Sequence, residues 1–317
     1  MTRVDLDELR RLVLDCLEPR FSDQDATRIA DVLMFGEMAN RPSHGIIRLL
    51  PGSFGVMDEE PGSEPSIEMH GHSAARVTGR QGMILASIAV ELAEELATAS
   101  GFAVVTTSGS RSTSGSLAYY VERLANAGLV SFVSAGTPNF VSIPGGGARL
   151  LGTNPVAYGI PTRDVPFVLD MGTSAITGGD VLTAVADGSD LPSGVAVDAS
   201  GAPTTHAADV LDGGALLPFG GHKGLGLSLT VEILNKALTG ASGDPGDWGH
   251  VFVAFSASLF GDEDDVRRRA QAEVDRLQAA GARIPGHHTL RCRDDALQRG
   301  WVEVDDDVYK RVVDSVS

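Results

Sequence analysis

The sequence predicts an α/β protein, and three observations carry that prediction. Helical and strand-like patterns alternate through the middle of the chain, from Ala74 to Phe255. Glycine is abundant, with 38 among 317 residues, well above the roughly 7% of ordinary chains. It falls in loops between the patterned stretches, with no internal repeat. Apolar residues make up 43%, enough to bury a large core, and far more than a disordered chain carries.

Leu6, Leu9, Val13 and Leu17 stand at helical spacing, and Pro19 stops the run. Asp23 can cap a second helix that carries Ile29, Val32 and Leu33 and ends near Asn40. Residues 57–65 are acidic, hold Gly and Pro, and read as a loop; Ala74 to Thr78 reads as a short strand. A long Ala/Leu/Glu-rich helix spans about Gly82 to Ala99, followed by a strand at Phe102 to Thr106 and a Ser/Gly run to Ser116. Leu117, Tyr120, Val121 and Leu124 form a helical stripe, and Val130 to Ser134 a strand. After a Gly/Pro loop at 138–152, Val156 to Pro161 and Phe167 to Met171 read as paired strands. Leu227, Val231, Leu234 and Leu238 mark another helix, Val251 to Phe255 a strand, and Val266, Ala270, Val274 and Leu277 a helix with an acidic start that suits its dipole. From Trp301 a short strand or turn leads into a last helix. Residues 1–73 and 241–317 are expected to form one, helical unit, and 74–240 a second, α/β domain.

The net charge of −17 excludes nucleic acid as a partner, since phosphates must be neutralised by Lys and Arg. It also argues against an anionic membrane surface. No apolar run approaches a membrane span, and the first residues lack the apolar core of a signal peptide. Two cysteines, Cys16 and Cys292, cannot build a disulfide framework, so the cytoplasm is the expected compartment.

Common site motifs are absent. There is no G-x-G-x-x-G between strand and helix, no G-K-[ST], no H-E-x-x-H, no C-x-x-C and no G-x-S-x-G. Four stretches remain that could carry chemistry. Ser43-His44-Gly45-Ile46-Ile47-Arg48, if helical, puts His44 and Arg48 four residues apart on one face: an acid/base beside an anchor for a small carboxylate, or a plain surface helix. Phe219-Gly220-Gly221-His222-Lys223-Gly224 feeds an apolar helix whose backbone N–H groups can bind an anion; the alternative is a loop whose glycines serve helix packing. Gly152-Thr153-Asn154-Pro155 and Leu169-Asp170-Met171-Gly172-Thr173-Ser174 place polar groups at strand ends, as ligand contacts or as turn caps; Asp198 carries the same ambiguity. Pro285-Gly286-His287 is a turn that reaches a ligand or joins two helices.

In this order these stretches resemble the malate/L-lactate dehydrogenase family, a non-Rossmann group that includes L-sulfolactate dehydrogenases and Δ1-piperideine-2-carboxylate reductase. Gly201-Ala202-Pro203-Thr204-Thr205 and Val231-Glu232-Ile233-Leu234 add to the match, which runs from about residue 43 to 290. The resemblance implies an L-sulfolactate dehydrogenase-like fold, a mixed sheet flanked by helices, with the terminal helices packing as a separate unit; residues 1–73 and 241–317 would then be the substrate-side and dimerisation unit and 74–240 the cofactor-binding domain. It implies a homodimer and a reductase or dehydrogenase that uses NAD(P)H, with NAD against NADP left open, on a 2-oxo or 2-imino acid. His44 would be the proton donor and acceptor, and Arg48 would bind substrate carboxylate or cofactor. Ser43, Thr153 and Asn154 would lie on the substrate side. Asp170, Met171, Gly172, Thr173, Ser174, His222, Lys223, Pro285, Gly286 and His287 would contact the dinucleotide. No metal is implied.

The chain departs from the family pattern twice. The loop before the Tyr-Tyr helix, Ser110-Arg111-Ser112-Thr113-Ser114-Gly115, has no histidine where the family has one. Gly178-Gly179-Asp180 has no lysine where some members place one. Both point to a divergent substrate, such as a cyclic imine, with Arg111 as a replacement contact. The alternative is a repurposed member that binds a nucleotide or partner without hydride transfer.

Overall fold

The computed structural model describes residues 1–52, 55–58, 64–240 and 248–316. In chain order the elements are β1 (Thr2–Asp5), α1 (Leu6–Leu17), α2 (Asp23–Met38), β2 (Ser66–Met69), β3 (Ala74–Thr78), α3 (Gly82–Ser100), β4 (Phe102–Ser108), α4 (Leu117–Asn126), β5 (Leu129–Ala135), β6 (Val156–Ile160) and β7 (Phe167–Met171). They continue as α5 (Gly178–Asp187), β8 (Ala196–Val197), β9 (Pro203–Thr204), α6 (Ala207–Leu211), β10 (Ala215–Leu216), α7 (His222–Thr239), β11 (His250–Ser256), α8 (Glu263–Ala279), α9 (His287–Arg299), β12 (Trp301–Val304) and α10 (Asp306–Asp314). The α/β class is as expected. A seven-stranded mixed sheet runs in the order β2-β3-β4-β11-β5-β6-β7, with β2–β3 antiparallel and β3–β4 parallel.

The chain forms two compact units. The first is Met1–Val133, Ala157–Asp170 and Phe252–Ser317; the second is Ser134–Val156 and Met171–Val251. The boundaries fall inside β5, β6, β7 and β11. They are not those of the division at 73/74 and 240/241, which separates cofactor side from substrate side, a distinction that compactness does not test.

In the first unit, α3 buries Met83, Ile84, Leu85, Ile88 and Val90, each contributing about 1.5–3 kcal/mol. Gln81 caps its start, and Gly101 ends it at φ +86°, a left-handed turn that glycine adopts without strain. The stripe Leu117, Tyr120, Val121, Leu124 is buried as predicted, with Tyr120 edge-on to Phe252 at 5.8 Å. Ser22, rather than Asp23, caps α2: its side chain accepts from Asp25 N. The N-terminus starts with a strand that periodicity did not show; β1 is four residues long and pairs antiparallel with β12. Of the 57–65 loop, Met57 and Asp58 lie in a short 3-10 turn, and 59–63 lie outside the described residues.

The second unit is built on a core of Val141, Leu151, Val181, Leu191, Val210 and Leu216 and carries a small sheet, β10-β8-β9. Its helix α5 was unforeseen, because Gly178-Gly179 reads as a loop. Thr177 and Asp180 form a capping box that starts it regardless. α7 buries one member of the expected stripe, Val231, fully; Leu227 and Leu234 are half-buried and Leu238 is exposed. Gly224, Ser228, Val231, Asn235 and Thr239 face inward, while Leu229, Ile233 and Leu238 are exposed. Among the described residues no helix is long and apolar enough to cross a membrane.

Candidate active site

In the first unit, residues 42–49 are not one helix. Two 3-10 turns, Pro42–His44 and Ile46–Leu49, meet at an extended Gly45. His44 and Arg48 therefore do not share a helical face. Ser43 links them instead: its Oγ lies 3.0 Å from His44 Nδ1, and its carbonyl accepts from Arg48 Nε at 2.7 Å. His44 is half-buried. Loss of water, with the charges of Arg48 and Arg41 beside it, lowers its pKa to about 4. The imidazole is therefore neutral at pH 7. Burial also lowers the pKa of Arg48.

This turn lies on α2. Ile46 N donates to Glu37 Oε1 at 2.7 Å, and Arg41 N donates to Gly36 O at 2.8 Å. Burial pushes the Glu37 carboxyl up to about 7. Sequence reasoning missed both Glu37 and Arg41. A signal for the first existed: Ile29, Val32 and Leu33 define the buried face, and the helical period carries it on to Gly36 and Glu37.

Asp170 ends β7 and holds the start of α4. Its Oδ2 accepts from Ser116 Oγ at 2.8 Å and from Ala118 N at 3.0 Å. Burial raises its pKa, while those hydrogen bonds and the charge of Arg41 lower it. The capping alternative weighed from sequence is thus present in the structure. In the turn before α9, Gly286 has φ +79°, and a Cβ there would stand 2.3 Å from Val168 O, so the turn lies directly on β7. His287 Nδ1 is 2.9 Å from Gln278 Nε2. Arg41 also reaches this region, its Nη2 donating to Thr289 Oγ1 at 3.4 Å.

The loop without the family histidine is folded on itself. Ser112 Oγ donates to Gln81 Oε1 at 2.5 Å and accepts from Gly82 N at 2.9 Å; Ser110 Oγ donates to Ser112 O at 3.1 Å. Arg111 is exposed, with no side-chain partner among the described residues.

In the second unit, Asn154 is fully buried at φ +38°, its amide donating to Ser228 O and, at 2.8 Å, to Glu232 Oε2. Both amide hydrogens are therefore spent on α7. Thr153 O accepts from the N and Oγ1 of Thr173, at 2.8 and 3.0 Å. Thr173 O in turn accepts from Phe219 N, and Ser174 bridges Pro218. Met171 and Gly172 are half-buried at the start of this ladder. The ladder delivers the chain to Gly220 and Gly221, at φ +56° and +64°, where an added Cβ would meet nothing within 4 Å. His222 and Lys223 follow, exposed, at the start of α7, which has no side-chain cap. Asp180, at the position of the family lysine, accepts from Thr177 N and Oγ1 at 2.7 and 2.8 Å. It serves its own helix.

Comparison with known proteins gives the family. The family model for malate/L-lactate dehydrogenase matches residues 4–313. A Δ1-pyrroline-2-carboxylate/Δ1-piperideine-2-carboxylate reductase of Pseudomonas putida is 35% identical over 277 residues, 81% of this chain and 80% of its own. An L-sulfolactate dehydrogenase of Methanothermobacter thermautotrophicus is 32% identical over 280 residues, 83% of this chain and 82% of its own. The crystal structure of Δ1-piperideine-2-carboxylate reductase from Pseudomonas syringae superposes with TM-score 0.85 at 29% identity, over 99% of this chain and all of that one. The class is thus an α/β oxidoreductase. The chain belongs to the malate/L-lactate dehydrogenase family.

Proposed function

We propose that the protein is a nicotinamide-dependent reductase or dehydrogenase acting on a small 2-oxo or 2-imino acid, with His44 as the proton donor and acceptor. The observation that carries this is the Ser43–His44–Arg48 arrangement: a neutral imidazole, oriented by a hydroxyl, beside two arginines. The second unit offers what a dinucleotide needs. Gly220 and Gly221 leave open space over uncapped backbone N–H groups, and Lys223 adds a positive charge, so Gly220 to Lys223 would hold a phosphate. A bound nicotinamide supplies or takes up the hydride.

The chain's own residues do the rest. Arg48 and Arg41 attract the substrate carboxylate. That anion offsets the two cations that depress His44, so the imidazole gains affinity for a proton as substrate arrives. Nδ1 is engaged by Ser43. Nε2 is then the atom that gives a proton to the substrate oxygen or nitrogen, and in the oxidative direction takes it back. NAD against NADP stays open in this reading. The compartment is the cytoplasm, and no nucleic acid, membrane or metal takes part. The exposed Leu229, Ile233 and Leu238 of α7 support a homodimer, which sedimentation would show.

A second reading, a member that binds a nucleotide without hydride transfer, is favoured by one observation. Near the place of the family histidine Thr113 Oγ1 accepts from Gly115 N, and near that of the lysine Asp180 accepts from Thr177 N, so both side chains serve internal hydrogen bonds. Absorbance of NADH and NADPH with a panel of 2-oxo acids and cyclic imines separates the two. Turnover that falls about 10²–10⁴-fold in His44→Ala supports the first; tight cofactor binding without turnover of any substrate supports the second.

A further inference from the structure

We propose that Glu37 is a positioning residue: its buried carboxyl clamps the turn carrying His44 and Arg48 onto α2. The proposal rests on the reading of His44 given above.

Glu37 is 9% exposed and has no ion-pair partner among the described residues. Its Oε1 accepts from Ile46 N at 2.7 Å, two residues after His44. A Cβ on Gly45 would stand 2.0 Å from that same oxygen and 2.5 Å from Cδ. On the other side, a Cβ on Gly36 would stand 2.4 Å from the His44 carbonyl oxygen. The backbone of residues 44–46 thus rests on α2 with no room for a side chain at either glycine. Among the described residues, the polar side chain that this stretch of helix supplies to it is the Glu37 carboxyl.

Burying a carboxyl with a single backbone partner is unfavourable, and an apolar side chain would fill the space at lower cost. Burial raises this carboxyl to about 7, so it remains largely protonated below neutral pH. What it supplies in return is an acceptor for Ile46 N, a first-turn donor that a 3-10 turn leaves without a partner. Ile46 lies between His44 and Arg48, so the bond fixes both side chains at once. A displacement near 1 Å at a proton-transfer group costs as much as about 10²-fold in rate.

The test uses the full chain and the variants Glu37→Ala, Glu37→Gln, Gly45→Ala, the Glu37→Ala/Gly45→Ala double variant and His44→Ala. NADPH and NADH oxidation is followed with Δ1-piperideine-2-carboxylate and with oxaloacetate, and amide exchange of Ile46 is followed in parallel. Glu37→Ala is expected to lower kcat about tenfold or more, with cofactor KM held within about twofold. Glu37→Gln keeps an amide oxygen for Ile46 N and is expected to stay within about threefold of the native kcat. Gly45→Ala pushes the carboxyl away and is expected to match Glu37→Ala, the double variant being no worse than either. Ile46 exchanges faster in Glu37→Ala and Gly45→Ala and at the native rate in Glu37→Gln.

Multiplying effects in the double variant, or a Glu37→Gln as impaired as Glu37→Ala, overturns the clamp. If Glu37→Ala does not fold, Gly45→Ala and Glu37→Gln still decide. If neither substrate turns over, an Ile46 exchange rate indifferent to residue 37 overturns it. A normal Glu37→Ala beside an impaired His44→Ala overturns the clamp alone. An unimpaired His44→Ala overturns the reading of His44 and the clamp with it.

Discussion

Two turns in this molecule depend on glycine for opposite reasons. At the His44 turn, Gly36 and Gly45 have negative φ but no space: backbone or a buried carboxyl occupies the place of each Cβ. At the start of α7, Gly220 and Gly221 have left-handed angles and empty space above them. The first turn is finished by the protein's own packing, so its side chains are held before any ligand arrives. The second leaves its backbone donors without a side-chain cap, the feature on which the proposed phosphate site rests. A high glycine content therefore reports two different circumstances, close packing at one turn and positive φ under open space at the other, which only coordinates separate.

Breaking the first turn is expected to cost most. In Gly36→Ala the new methyl meets the His44 carbonyl, which is backbone and cannot rotate away. A loss of about 1–3 kcal/mol in stability is expected, together with about 10²-fold in kcat from displacement of His44. Thermal melts and initial rates check both, and native rates in a folded variant would show that the turn has slack. Arg48→Lys comes next. Lys cannot reproduce the guanidinium fork, so KM for the acid substrate rises about tenfold; a rise confined to cofactor KM would assign Arg48 to the nucleotide instead.

The second turn is expected to respond differently. Lys223→Ala raises cofactor KM about five- to tenfold with kcat nearly unchanged. The salt dependence of that KM weakens too, since an exposed charge is screened. Gly220→Ala meets no atom and bears only the left-handed strain, about 1 kcal/mol. Equal losses of kcat at both turns would end the distinction between a packed site and an open one.

How much of this was legible in the sequence follows from the same physics. Helices with a strong apolar stripe were found to within a few residues: α3 and α4 carry enough buried aliphatic side chains to declare themselves. Elements held by hydrogen bonds at a distance were not. β1 exists because β12, some three hundred residues away, pairs with it, and α5 starts on a capping box that its glycines conceal. In α7 the helix was right and its inward face only partly so. The period marked Val231, which is buried, and leucines that are half-buried or exposed, whereas the rest of the inward face is Gly224, Ser228, Asn235 and Thr239, small or polar residues whose spacing carries no apolar signal. The site shows the same split. Ser43, His44 and Arg48 were readable from the motif, but their mutual geometry was not, because Gly45 breaks the helix. Asn154, expected on the substrate side, donates both amide hydrogens to α7, an anchoring that the motif did not show. Glu37 escaped notice because a carboxylate on a helix is ordinarily a solvated one.

The smallest expected effect tests whether the first turn is as closed as its packing implies. Three groups that folding shields from water shift in ways that oppose each other. His44 and His250 are lowered by burial to about 4, from an ordinary value near 6.5. As pH falls through that interval the unfolded chain takes up protons the folded chain refuses, so stability falls with pH. Glu37 is raised to about 7, from an ordinary 4.5. Its protonated folded form gives stability that is complete below 4.5 and lost as pH rises through 7. Glu37→Gln removes only the second effect. Its melting temperature minus that of the native protein should therefore climb between pH 4.5 and 7 and level off above, with the histidine contributions cancelling in the difference. A difference that stays flat across this range would mean that the carboxyl is already ionised and wet at pH 5. In that case water reaches the underside of the His44 turn, and the contrast with the open glycines of α7 is one of degree.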